Sequence, residues 1–186
     1  MNLANKISIT RVILIPFFIT SIMYARMEWA LVLFIIAVVS DGVDGYIART
    51  HKQKTYLGTI IDPVADKLLL VSAFISLAMV KNIPDAFKFP PYVPVIVISR
   101  DVIIVVGSIM IYMLTGDLKV RPTLAGKTTT FFQMITIISV LANFRYSALI
   151  WNSAVILTVI SGVDYVVRGA KLLSNNNNHI KETSAL

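Results

Sequence analysis

The sequence predicts an all-α integral membrane protein with six transmembrane helices, and three observations carry that prediction. Of its 186 residues 56% are hydrophobic and only 15% charged, against about 45–50% and about 25% in soluble domains. The apolar residues fall in long runs, each near the roughly 20 residues a helix needs to cross a bilayer. None of these runs shows the period-two alternation that a membrane-spanning barrel requires.

In chain order, the first run covers Ile7–Tyr24. Charge precedes it, as in a signal peptide, but no small-residue cleavage pattern follows Tyr24, so this span is expected to be retained. The second and third, Trp29–Ile47 and Leu57–Val80, flank a short polar connection. Tyr92–Leu114, Thr128–Asn143 and Ser147–Val167 complete the set. Residues 1–173 therefore read as one six-helix domain, and residues 174–186, with the Asn175–Asn178 run, as a polar C-terminal tail. Cysteine is absent, which excludes disulfides and thiolate metal sites.

The formal net charge is +7. Its basic residues gather at span edges, which favours anionic lipid over nucleic acid as the partner. If the amino terminus is cytoplasmic, the inner segments hold Lys6, Arg11, Arg49, Lys52, Lys54, Lys119, Arg121, Lys127, Arg168, Lys171 and Lys181, and the outer loops only Arg26, Lys81, Lys88 and Arg145. This asymmetry places both termini on the cytoplasmic side of a multi-pass inner-membrane protein.

Acidic residues inside spans are costly, about 2.5–3.5 kcal/mol each at a helix centre. Here four of them collect at one side. The second span ends Asp41-Gly42-Val43-Asp44-Gly45, and the third starts Gly58-Thr59-Ile60-Ile61-Asp62-Pro63-Val64-Ala65-Asp66-Lys67. Asp41 and Asp44 stand at i,i+3 and Asp62 and Asp66 at i,i+4, so each pair shares a helix face. The short connection favours antiparallel packing, which can bring the two acidic faces together. Carboxylates crowded in this way repel one another, and a divalent cation relieves the repulsion. Oxygen ligands without His or Cys suit Mg²⁺, Mn²⁺ or Ca²⁺ rather than zinc.

Gly42, Gly45 and Gly58 leave backbone open beside the acids, and Arg49 can grip phosphate bidentately. Metal carboxylates, open backbone and an arginine together describe a diphosphate site. A single intramembrane Asp is often only a helix–helix contact, but two pairs flanked by glycines and an arginine are poorly explained that way. Lys67 is either an ion-pair partner or a side chain reaching for the surface.

The stretch Asp41-x-x-Asp44-Gly45-x-x-Ala48-Arg49, then eight residues, then Gly58-x-x-x-Asp62-x-x-x-Asp66 resembles the motif of the CDP-alcohol phosphotransferases, with every fixed position present. Asn5, Ser8 and Arg11 resemble the Asn-x-x-Thr-x-x-Arg entry of bacterial members, with Ser in place of Thr. The Ser99-Arg100-Asp101, Gly126-Lys127-Thr128-Thr129 and Ser161-Gly162-Val163-Asp164-Tyr165 segments also fit. The resemblance implies a six-helix fold, usually dimeric, with a cytoplasm-facing polar cavity. It implies Asp41, Asp44, Asp62 and Asp66 as ligands of two Mg²⁺ or Mn²⁺ ions. Gly45, Ala48, Arg49 and Gly58, with Asn5, would shape the CDP diphosphate site, and Asp66 would be the general base. The implied reaction moves a phosphatidyl group from CDP-diacylglycerol to an alcohol and releases CMP.

The acceptor pocket is expected among Arg100, Lys119, Arg121 and Lys127, whose charge suits an acceptor bearing phosphate such as glycerol 3-phosphate. For Lys119 and Arg121 anchoring at anionic headgroups is an equal reading. Within the family, the amino-terminal and Gly126-Lys127 segments resemble bacterial phosphatidylglycerophosphate synthases. Ser99-Arg100-Asp101-Val102 instead resembles cardiolipin synthases of the same fold, whose acceptor is phosphatidylglycerol. Two other classes also place carboxylates in membranes. A cation transporter would carry an inverted repeat or a second acidic cluster on the outer side, and an intramembrane prenyltransferase a second Asp-rich motif; the sequence shows none of these.

Overall fold

The computed structural model describes residues 3–50, 56–81, 85–115 and 124–183. The described residues form six α-helices: α1 (Leu3–Met23), α2 (Met27–Thr50), α3 (Tyr56–Met79), α4 (Tyr92–Thr115), α5 (Leu124–Leu141) and α6 (Ser147–Thr183), with one 3-10 turn at Asp85–Phe87 before α4. Each expected span falls on one helix. The ends differ: α2 runs on to Thr50 and takes in the whole first acidic motif, and α6 carries its helix through 174–183.

Among the described residues, Tyr92–Met113, Leu124–Leu141 and Ser147–Lys171 are long and apolar enough to cross a membrane. Apolar stretches also cover Thr10–Met23 of α1 and Met27–Ser40 of α2. The acidic motif occupies the end of α2 and the start of α3, and Arg11 lies within the apolar stretch of α1.

Packing makes two groups. α1 packs against both α2 and α3, while α4 and α5 each pack against α6; contacts of α2 with α5 and of α3 with α4 and α5 join the groups. α1 lies against both α2 and α3, while the side chains through which the acidic faces of α2 and α3 are expected to approach, at 41–50 and 56–63, lie outside the described residues. Where the groups meet, Phe18, Ile22, Phe34, Phe74, Leu77 and Ile137 are fully enclosed. Between α5 and α6 the contact is polar: Gln133 Nε2 donates to Thr158 Oγ1 at 3.2 Å, and Thr129 Oγ1 to the Leu157 carbonyl at 3.2 Å. Small hydroxylated residues and cross-helix hydrogen bonds are the usual cement of helices in lipid.

The outward faces are apolar, with Val105, Val106, Ile109, Val159, Ile160 and Val163 all exposed. In a water-soluble protein such a surface would be a liability, whereas lipid tails cover it at no cost. Tyr24, Trp29, Tyr92, Phe144 and Tyr146 are exposed at the helix ends opposite the acidic motif. The amphipathic Tyr and Trp rings among them are the residues that favour a membrane–water boundary.

The α1–α2 and α5–α6 turns at that boundary are built alike. Arg26 N–H donates to the Ser21 carbonyl at 2.8 Å with Ala25 at φ 55°, and Phe144 N–H donates to the Ser139 carbonyl at 2.9 Å with Asn143 at φ 51°. Both are Schellman caps, in which the residue in the left-handed region satisfies the last carbonyls of the helix. Asn tolerates that conformation, while Ala pays for its Cβ about 1 kcal/mol. Ala25→Gly should accordingly raise the melting temperature of the purified protein in detergent, and a lowered value would contradict the capping assignment.

Candidate active site at the motif end of the bundle

Every residue of the two-part motif except the connection at 51–55 lies on helical backbone. Asp41, Asp44, Gly45, Ala48 and Arg49 occupy the last part of α2, and Gly58, Asp62 and Asp66 the first part of α3. The i,i+3 and i,i+4 spacings therefore place each acid pair on one helix face, as expected. The side chains of residues 3–9, 41–50 and 56–63 lie outside the described residues, and with them those of Asn5, Asp41, Asp44, Arg49 and Asp62. Lys119 and Arg121 also lie outside. Lys127 is described and sits exposed near the start of α5.

Asp66 is the motif acid whose surroundings are visible. Its carboxylate accepts a hydrogen bond from Arg11 Nη1, which makes an ion pair between α3 and α1. Arg11 is enclosed to within 1% of its surface, while Asp66 keeps 27% exposed. The carboxylate is thus held by a buried guanidinium, while part of its surface stays accessible. The pair joins residues 55 apart in sequence, so spacing alone does not reveal it. The available signal is a guanidinium inside an apolar run, at the third position of the Asn5, Ser8, Arg11 entry.

A second set of charges starts at the next residue. Lys67 Nζ donates to Asp101 Oδ2 at 2.6 Å, joining α3 to α4. Arg100 Nη1 donates to Asp101 Oδ1 at 2.8 Å, and Arg100 Nη2 to Ser161 Oγ of α6 at 2.7 Å. Arg100 is buried, and a Cβ at Gly162 would lie in van der Waals contact with its Cγ, at 3.4 Å. A turn further along, the Tyr165 hydroxyl meets Ser108 Oγ at 2.7 Å and the Ile104 carbonyl at 2.9 Å. Gly107 makes room for it, since a Cβ there would lie 3.0 Å from the Tyr165 ring. The Ser161–Tyr165 segment thus fixes α4, and with it Arg100 and Asp101. Asp164 and Arg168 form an exposed pair at 2.8 Å on α6.

Two other features lie apart from this site. An apolar cleft of about 750 Å³ between α3 and α4 is lined by Ile75, Met79, Pro94, Val95 and Val102 among others. It has no titratable lining residue, so it cannot perform acid–base chemistry. In the α3–α4 connection Lys88 donates to Asp85 at 2.8 Å and holds its carboxyl below the ordinary carboxylate range.

Among the described residues no three acidic or imidazole groups converge on one point. The donor set of the motif nevertheless fits a hard divalent cation, because α2 and α3 together present carboxylates and neither supplies His or Cys. The family profile for CDP-alcohol phosphatidyltransferases matches residues 1–160. This chain belongs to that family. Family members are generally dependent on divalent metal and membrane-bound. A Bacillus subtilis CDP-diacylglycerol–glycerol-3-phosphate 3-phosphatidyltransferase is 32% identical over 200 residues, covering 95% of this chain and 99% of the relative. The Haemophilus influenzae enzyme of the same name is 34% identical over 167 residues, covering 87% and 86%. A rat cardiolipin synthase (CMP-forming) is 28% identical over 193 residues, covering 91% and 62%.

The clamp on Asp66 generates a prediction. Arg11→Met removes one partner of a pair that is largely out of water and should destabilise the protein by about 3 kcal/mol. Thermal unfolding in detergent measures this, and a melting temperature equal to that of the wild type would show that the pair contributes nothing.

Proposed function

We propose that this protein transfers the phosphatidyl group of CDP-diacylglycerol to glycerol 3-phosphate, forming phosphatidylglycerophosphate and CMP. The observation that carries the reading is the complete two-part Asp motif on the ends of α2 and α3, in a chain that aligns nearly end to end with relatives bearing that enzyme name.

In this reading Asp41, Asp44 and Asp62 hold Mg²⁺ or Mn²⁺, and Asp66 joins a second ion. Bound there, the metal neutralises the diphosphate and stabilises the CMP leaving group. Asn5, Gly45, Ala48, Arg49 and Gly58 bind and orient the CDP moiety, with open backbone for close approach and a guanidinium for phosphate. Asp66, oriented by Arg11, takes the proton of the acceptor hydroxyl. The hydroxyl oxygen bonds to the phosphorus that carries the diacylglycerol, and the bond from that phosphorus to the CMP oxygen breaks. CMP leaves with the electron pair. Arg100, Lys119, Arg121 and Lys127 make the acceptor side cationic.

All six helices cross the inner membrane in this reading, with both termini cytoplasmic, and the protein works as a homodimer. Residues 1–173 form the catalytic domain and residues 174–186 an appended polar tail. One second reading has a specific observation in its favour: Ser99-Arg100-Asp101-Val102 resembles cardiolipin synthases, and a cardiolipin synthase is among the relatives. The acceptor would then be phosphatidylglycerol.

Purified protein in detergent, given CDP-diacylglycerol and Mg²⁺ or Mn²⁺, should release CMP with glycerol 3-phosphate and not with phosphatidylglycerol. The reverse pattern would establish the second reading, and silence with both would overturn the assignment. Asp66→Asn should lower the rate at least about 100-fold in protein that still folds, since the amide oxygen keeps an acceptor for Arg11.

A further inference from the structure

Asp66 and Lys67 are neighbours in sequence but face different helices. Asp66 meets Arg11 of α1, whereas Lys67 meets Asp101 of α4. Consecutive residues of an α-helix diverge by about 100°, so one turn of α3 presents a carboxylate toward α1 and an ammonium toward α4.

The surroundings of the ammonium are graded. Arg100 is 7% exposed, Asp101 11% and Lys67 40%. Ser161 and the close-packed Gly162 hold Arg100, Arg100 holds one oxygen of Asp101, and the other oxygen of Asp101 holds Lys67. The chain of contacts runs from a rigid, buried anchor to an accessible cation. The accessible end of this chain of contacts is the ammonium of Lys67. Here one carboxylate sits between two cations, which leaves one positive charge in excess within this set, and the excess stands at the accessible end.

The geometry points to Lys67 as the group that binds the phosphate of the acceptor, with Asp101 and Arg100 as the residues that position it. This rests on the transfer reaction read above, in which Asp66 takes the acceptor's proton. A compound whose hydroxyl and phosphate are separated by a three-carbon backbone can place the hydroxyl at Asp66 and the phosphate at the adjacent ammonium. The phosphate displaces nothing buried, because Lys67 has donors to spare beyond its bond to Asp101. That chemistry is shared by free glycerol 3-phosphate and by the headgroup of phosphatidylglycerol.

The test measures CMP release by wild type, Lys67→Gln, Lys67→Arg and Asp101→Asn in detergent, with the two acceptors in separate arms. Lys67→Gln should raise the acceptor KM about tenfold or more and move the CDP-diacylglycerol KM less than about twofold. Lys67→Arg should recover most of the loss, and Asp101→Asn should raise the same KM by a smaller factor. The arm in which the acceptor KM rises identifies the source of the phosphate. An acceptor KM for Lys67→Gln within about twofold of wild type, or an equal rise for CDP-diacylglycerol, overturns the assignment. Should wild type release no CMP in either arm, the transfer reaction fails and the Lys67 site is decided by binding. Thermal protection of wild type by glycerol 3-phosphate that is lost in Lys67→Gln upholds the site, and absence of protection in wild type overturns it.

Discussion

The structure depends on balancing carboxylate charge inside an apolar helix bundle. An acid at the centre of a membrane helix costs about 2.5–3.5 kcal/mol, and this chain places four at one end of two helices. Among the described side chains, Asp66 meets a cation: Arg11 reaches from α1 and closes on it. That contact places a cation within the apolar stretch of α1 and ties α1 to α3. It also explains how Asp66 is aimed. A buried guanidinium closed on the carboxylate leaves it little freedom to turn.

The other half of the bundle serves the same end. α4 and α6 are joined by Arg100 to Ser161 and by Tyr165 to Ser108, with Gly107 and Gly162 allowing the close approach. Asp101, fixed on this frame, reaches Lys67 on α3. The charged groups around the start of α3 are thus held from two directions, by α1 and by α4. The rest of the bundle is ordinary membrane packing, with an apolar outer face, hydroxyl-lined α5–α6 contact and aromatic residues at the far end.

Much of this was legible in the sequence, for physical reasons. Bilayer thickness forces long apolar runs, so each helix was visible from composition, and helical periodicity fixed which acids share a face. Helix ends were less legible: α6 continues through the Asn175–Asn178 run because a polar segment can extend a helix once it has left the lipid. The four aspartates announced themselves through their cost. The Arg11–Asp66 and Lys67–Asp101 pairings did not, because their members lie 55 and 34 residues apart. No local pattern encodes such pairings, which only the packing of α1 and α4 against α3 creates. The role of Ser161, Gly162 and Tyr165 was hidden in the same way, since they act on α4 across a helix interface.

Asp41, Asp44 and Asp62 carry the central claim, the proposal that divalent metal bound there makes the site competent. The most direct measurement is CMP release from CDP-diacylglycerol by purified protein stripped of metal with a chelator and then supplied with Mg²⁺ or Mn²⁺ in steps. The account predicts that release falls to background on stripping and returns with the added ion. Release that persists undiminished in metal-free protein would contradict it.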